Sequence, residues 1–239
     1  TAPGDAAFLE IGVTGLLGGH SGEDIHRCRA NSIKLLSRIL STVRESVDFA
    51  LADCMGGLKY NAIPREARAV IAVDPADVET VTRMAASYQA IVSKEYRFSD
   101  PEIVISCTPA EPAAQVLTRD SRDSLLDYLY FTQSGVIRMN PEFPEIVESS
   151  VSLGVVRLEA EQAVIQVMTR SSVKSMYEEM FHHIRRLTER HGATYQVMSC
   201  CPEWEYDPDS RVKRIAGELY EELFGRTPKY LILHAGVEC

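Results

Sequence analysis

Apolar residues alternate with small or polar ones from Phe8 to Leu16 and then meet Gly18-Gly19-His20-Ser21-Gly22, which predicts a strand ending in a glycine turn. From Cys28 to Arg44 the apolar positions Ile33, Leu36, Ile39, Leu40 and Val43 recur at threes and fours, the spacing of one helix face. Two strands are predicted next, over Val47 to Met55 and, beyond the Pro64 break, over Arg68 to Val73. Asp74-Pro75 ends the second strand and opens a helix that runs to about Tyr96 on Val78, Val81, Ala85, Tyr88 and Val92, since proline is tolerated in a first helical turn. Ile103 to Cys107 is the following strand. The order is βαββαβ, the ferredoxin-like arrangement, in which two helices cover one face of an antiparallel sheet.

The same grammar returns further along. Ala69-Val70-Ile71-Ala72-Val73 is echoed 94 residues later by Ala163-Val164-Ile165-Gln166-Val167, and Ser106-Cys107-Thr108-Pro109 is echoed 93 residues later by Ser199-Cys200-Cys201-Pro202. One amphipathic helix lies between the members of each set, the later one carried by Val173, Met176, Tyr177, Met180, Phe181, Ile184 and Leu187. Two echoes in one order at nearly one offset predict a duplicated unit. The expected fold class is therefore α+β: a two-layer sandwich of a duplicated ferredoxin-like unit, with a short αβ tail. Unit one spans about 6–110 and unit two about 150–205. Between them, 110–150 is a crossing segment with a helix (Ser124 to Phe131) and the Pro/Glu-rich stretch Asn140-Pro141-Glu142-Phe143-Pro144-Glu145. From Asp209 the pattern changes. Val212, Ile215, Leu219 and Leu223 predict a helix, Gly225 its C-cap, and Lys229 to Leu233 a buried strand. Residues 1–208 thus read as one domain and 209–239 as a partial αβ piece of another.

Composition narrows the partners. Among 239 residues, 25 Lys and Arg stand against 34 Asp and Glu, a net charge of −9. The one dense basic run, Arg185-Arg186 with Arg190, lies among acidic residues, so the surface is unsuited to nucleic acid. No window offers the roughly 20 apolar residues of a membrane span, and the first residues lack a signal-peptide pattern; the reading is a cytoplasmic chain. Six cysteines, two of them adjacent at Cys200-Cys201, make a poor disulfide framework, and no Cys-x-x-Cys pair suggests structural zinc. The chain opens at Thr1 and stops at Cys239 directly after a strand-and-glycine pattern, which suggests a piece of a longer protein.

Candidate chemistry is sparse. His20, surrounded by small residues at a strand end, either donates to a developing oxyanion or is simply a histidine in a glycine turn. Asn61, in Asn61-Ala62-Ile63-Pro64, is a polar amide before a forced extended segment, where an ordinary turn residue also fits. Arg170 ends the strand Val164 to Met168, where an arginine either grips a carboxylate with both prongs or stands as a rim charge. Glu178-Glu179 and His182-His183 share a helix at metal-binding spacing, yet Met180, Phe181 and Ile184 fill the core face of that helix, which makes the four solvated side chains. No metal ligand set, Walker loop or Gly-x-Ser-x-Gly motif is present.

Taken together, Leu16-Leu17-Gly18-Gly19-His20-Ser21-Gly22-Glu23-Asp24-Ile25-His26, then Asn61-Ala62-Ile63-Pro64-Arg65-Glu66-Ala67, then His234-Ala235-Gly236-Val237-Glu238-Cys239 resemble the aminoacyl-histidine dipeptidases. These are the carnosinase-like branch of the carboxypeptidase G and aminoacylase superfamily of zinc peptidases. The resemblance runs from about Phe8 to Cys239. It implies a lid, or dimerisation, domain with the first stretch of a return into a catalytic domain. It also implies two zinc ions held outside this chain, a dipeptide substrate, and pairing of two copies through the lid. On the matching positions it implies that His20 polarises the scissile carbonyl, that Asn61 helps to bind substrate and that Arg170 binds the substrate's C-terminal carboxylate. A doubled lid unit leans toward His20 acting within its own chain. The alternative is a stand-alone ferredoxin-like binding or oligomerisation module without chemistry.

Overall fold

In the computed structural model, which describes residues 4–199 and 203–236, the alternation at Leu9, Ile11 and Val13 becomes strand β1 (Ala7–Thr14), with those three side chains buried. A two-residue strand β2 (Gly19–His20) follows, then helix α1 (Ser32–Ser46), β3 (Phe49–Gly56), the short β4 (Ala62–Ile63), β5 (Ala67–Val73), helix α2 (Val78–Glu95) and β6 (Val104–Pro109). Helix α1 begins later than its apolar spacing suggests because Asn31 caps it. The Asn31 Oδ1 accepts the N–H groups of Ile33 and Lys34 at 3.0 and 3.2 Å, satisfying donors that the first turn leaves open.

The long strands of this stretch pair antiparallel in the spatial order β6-β1-β5-β3, the ferredoxin-like order expected from the sequence. Helices α1 and α2 cover one face over a core that includes Ile11, Ile33, Leu36, Leu40, Leu51, Ile71 and Val81. On the other face Phe8, Val70 and Ala72 pack under Ala110, Ala113 and Val116.

The remaining elements are α3 (Arg119–Phe131), β7 (Gly135–Met139), β8 (Val147–Leu158), β9 (Ala163–Ser171), α4 (Lys174–Arg190) and α5 (Arg211–Phe224). Strand β8 joins the end of β3 at Met55 opposite Arg157 and Gly56 opposite Val156, and also pairs with β7 and β9. The second stretch therefore extends the sheet of the first. Helix α3 adds Leu125, Leu126 and Leu129 to the same core. Its buried Arg122 donates to the Phe49 carbonyl and to Asp48 and Asp123, tying the helix to the start of β3.

Two sequence expectations change. The Pro/Glu-rich stretch read as part of a crossing segment is a turn joining β7 to β8, closed by Asn140 Oδ1 accepting the Glu142 and Phe143 N–H groups at 2.8 and 3.1 Å. The buried strand expected over Lys229 to Leu233 does not form. No described strand lies beside it to take its backbone groups, and Tyr230, Leu231 and Leu233 are exposed. The second arm of the Ser-Cys echo, Cys200-Cys201-Pro202, lies outside the described residues, as do Val237, Glu238 and Cys239. Cys28, Cys54 and Cys107 are free thiols. Among the described residues no helix is long and apolar enough to cross a membrane.

Candidate functional site

The sheet delivers the His20 loop by a short detour. After β1 the chain turns through Gly15 and Gly18, both at positive φ (77° and 61°). A Cβ on Gly15 would lie 2.0 Å from the Glu102 carbonyl oxygen, so glycine is needed there for close approach as well as for conformation. Strand β2 then pairs with β4, Gly19 opposite Ile63 and His20 opposite Ala62. The Ser21 N–H donates to the Asn61 carbonyl at 3.0 Å. Two motifs more than 35 residues apart in sequence thus meet as one two-stranded ribbon.

Inside the loop the imidazole is oriented. His20 Nδ1 accepts the N–H groups of Glu23 at 3.1 Å and Gly22 at 3.4 Å. An acceptor Nδ1 makes Nε2 the protonated nitrogen of the neutral ring, so the ring presents a donor outward. The Asp24 carboxylate accepts the His20 N–H at 2.9 Å, and that bond, with Arg29 and Arg27 beside it, holds the Asp24 carboxyl below its ordinary range against the opposing effect of burial. Arg29 reaches back to the Gly18 carbonyl.

Arg170 arrives from the second stretch. It lies on β9 directly opposite the buried Ser150 of β8. The meeting point is Gly22: a Cβ there would sit 3.2 Å from Arg170 Nε and 2.1 Å from the His234 carbonyl oxygen. His234 Nε2 lies 2.8 Å from Ser150 Oγ. Burial, then the neighbouring Arg170 and His20, push the His234 imidazole down to about 4. The Arg170 guanidinium, the His234 backbone carbonyl and, through its Nδ1, the His20 ring therefore converge on Gly22. Such a set suits a ligand with one anionic end and one polarisable carbonyl.

All three sequence-predicted residues are placed on this side of the molecule, Asn61 through its backbone bond to Ser21 and with a half-buried side chain. His234 stood in the motif strings without a role, and Ser150 gave no sequence signal, because its place depends on β8 pairing with β9. Glu178, Glu179, His182 and His183 are exposed on α4. Among the described residues no group of three or more His, Cys, Asp or Glu is arranged to hold a metal ion.

Comparison with known proteins gives a family and a fold match. Residues 11–100 match the family model described as peptidase dimerisation domain. The chain is 33% identical over 237 residues to the cytosol non-specific dipeptidase of Escherichia coli (strain K12), covering 99% of this chain and 49% of that protein. The crystal structure of aminoacylhistidine dipeptidase from Vibrio alginolyticus superposes with a TM-score of 0.90 at 28% identity, over 99% of this chain and 49% of that one. The chain spans about half the length of these relatives. Both are named as dipeptidases, which does not favour the alternative of a binding module without chemistry.

Proposed function

We propose, from the match of residues 11–100 to the peptidase dimerisation domain family, that the chain is the lid of a cytoplasmic metal-dependent dipeptidase acting on Xaa-His or other dipeptides. The observation that carries the reading is the convergence at Gly22 of the oriented His20 with Arg170 and His234. In this reading the Nε2–H of His20 donates to the oxygen of the scissile carbonyl as it gains charge. A donor of this kind is worth about 3 kcal/mol in other hydrolases. The Arg170 guanidinium takes the free carboxylate of the dipeptide, and Asn61 lines the substrate path. Fixing one end of the substrate while a donor addresses the other measures its length, which is what separates a dipeptidase from a peptidase of long chains.

Zinc, which the family resemblance implies, has no ligand set among the described residues. In the proposal it is held by the catalytic part of the protein and supplies the activated water there. The role of this chain is to orient, bind and exclude solvent. The dimerisation domain points to association of two copies, and the meeting of His20 and Arg170 within one chain supports their acting on the same substrate. The test is an assay of Xaa-His dipeptides with added zinc, using the 239-residue chain and the full-length protein in parallel. Turnover by the full-length protein alone is expected. Turnover by the chain alone would contradict the division of labour.

A further inference from the structure

The His20 loop hangs on a buried side chain that none of the motifs contains. Asp100 follows α2 in a tight turn and has no exposed surface. Its Oδ1 accepts the N–H of Leu17 at 2.9 Å and its Oδ2 the N–H of Ala30 at 2.8 Å. Leu17 and Ala30 bracket residues 18–29, the segment that holds His20, so one carboxylate closes the loop at its base. Asp100 is itself fixed. Its own N–H donates to the Tyr96 carbonyl at 2.8 Å, and its carbonyl accepts the Ile103 N–H at 3.2 Å. Helix α2 is anchored in turn where Glu95 takes both prongs of Arg38 from α1 at 2.7 and 3.0 Å.

The residue type matters. Two backbone donors converge on this point, and only a carboxylate of that size offers two acceptor oxygens and no donor. An amide would present an NH2 group to one of the two N–H groups, and the buried donor facing it would lose its partner.

We propose that Asp100 is a positioning residue for the dipeptidase reaction, acting through His20 by fixing both ends of its loop and without touching substrate. This rests on the role proposed above for His20. A shift of about 1 Å in a catalytic group can lower turnover by about a hundredfold, and a loop freed at its base is where such a shift would arise.

The test is a double-mutant cycle in the full-length protein, with kcat and KM for a Xaa-His dipeptide measured for Asp100→Asn, His20→Ala and the pair. Asp100→Asn is expected to lower kcat by about ten- to a hundredfold and to cost almost nothing further in the His20→Ala background. Hydrogen exchange should quicken in peptides covering 17–30 and stay unchanged in β5. If Asp100→Asn does not yield folded protein, Asp100→Ser, which keeps an acceptor for one N–H, enters the same cycle. Equal losses in both backgrounds, an unchanged kcat, or exchange that quickens throughout β1, β5 and α1 would overturn the proposal. A His20→Ala protein with undiminished kcat would instead overturn the reading of His20, and this inference with it.

Discussion

Strands β5 and β9 carry almost the same string, Ala-Val-Ile-Ala-Val against Ala-Val-Ile-Gln-Val, yet their surroundings differ. Every residue of β5 except Arg68 is buried, while β9 is half-exposed along its length. The cause lies in the neighbours. β5 has β1 on one side and β3 on the other, helices above and the 110–116 segment below. Among the described residues β9 pairs with β8 alone. Local pattern makes a strand in both places, but burial belongs to the sheet position. The half built around β5 is finished and holds the His20 loop rigidly from below. The half built around β9 carries Arg170 on a strand that is half-exposed along its length. Under the proposed function the rest of the enzyme covers that strand.

The largest effect that would test this contrast is on stability. Ile71→Ala, in the finished half, should destabilise the protein by about 3 to 5 kcal/mol, whereas Ile165→Ala, at the matching place in half-exposed β9, should cost roughly 1 to 2 kcal/mol. Denaturant unfolding of the 239-residue chain measures both, and equal losses would erase the distinction. Next in size, Arg170→Ala in the full-length protein should raise KM for dipeptides with a free carboxylate by about tenfold or more, with less effect on amidated substrates. An equal loss on both would remove the carboxylate contact.

The smallest effect concerns the tail. His234 is held down to about 4 by burial, Arg170 and His20, against an ordinary value of 6.5. The docked tail therefore binds fewer protons than the released one between those values. Its contact with Ser150 is favoured above about pH 6.5 and is lost progressively as pH falls toward 4. Hydrogen exchange of residues 230–236 should rise between pH 7 and pH 5, after correction for intrinsic rates. In His234→Gln this pH dependence should disappear; its persistence would place the titration elsewhere.

The ferredoxin-like half was legible because its elements are long and periodic and because its stops are chemical: Asp74-Pro75 before α2, a glycine turn after β1. The start of α1 was misplaced by a few residues since the capping Asn31 has no periodicity. Strand β7, five residues ending just before the Pro141 turn, is too short for its pattern to stand out. The strand expected over Lys229 to Leu233 has the right residues and lacks a neighbour among those described, and no sequence pattern supplies one. In the site, His20, Asn61 and Arg170 were named from motifs and strand ends. Ser150 and Asp100 were invisible because each acts through a partner about 70 or more residues away. Under the proposed function the motifs mark what meets the ligand, and long-range hydrogen bonds decide how those residues are held.

The most direct measurement of the central claim is turnover by His20→Ala in the full-length protein, with bound metal quantified on the same sample. The account predicts a fall in kcat of about two to three powers of ten with metal content unchanged. An unaltered kcat, or a loss that follows metal content, would contradict it.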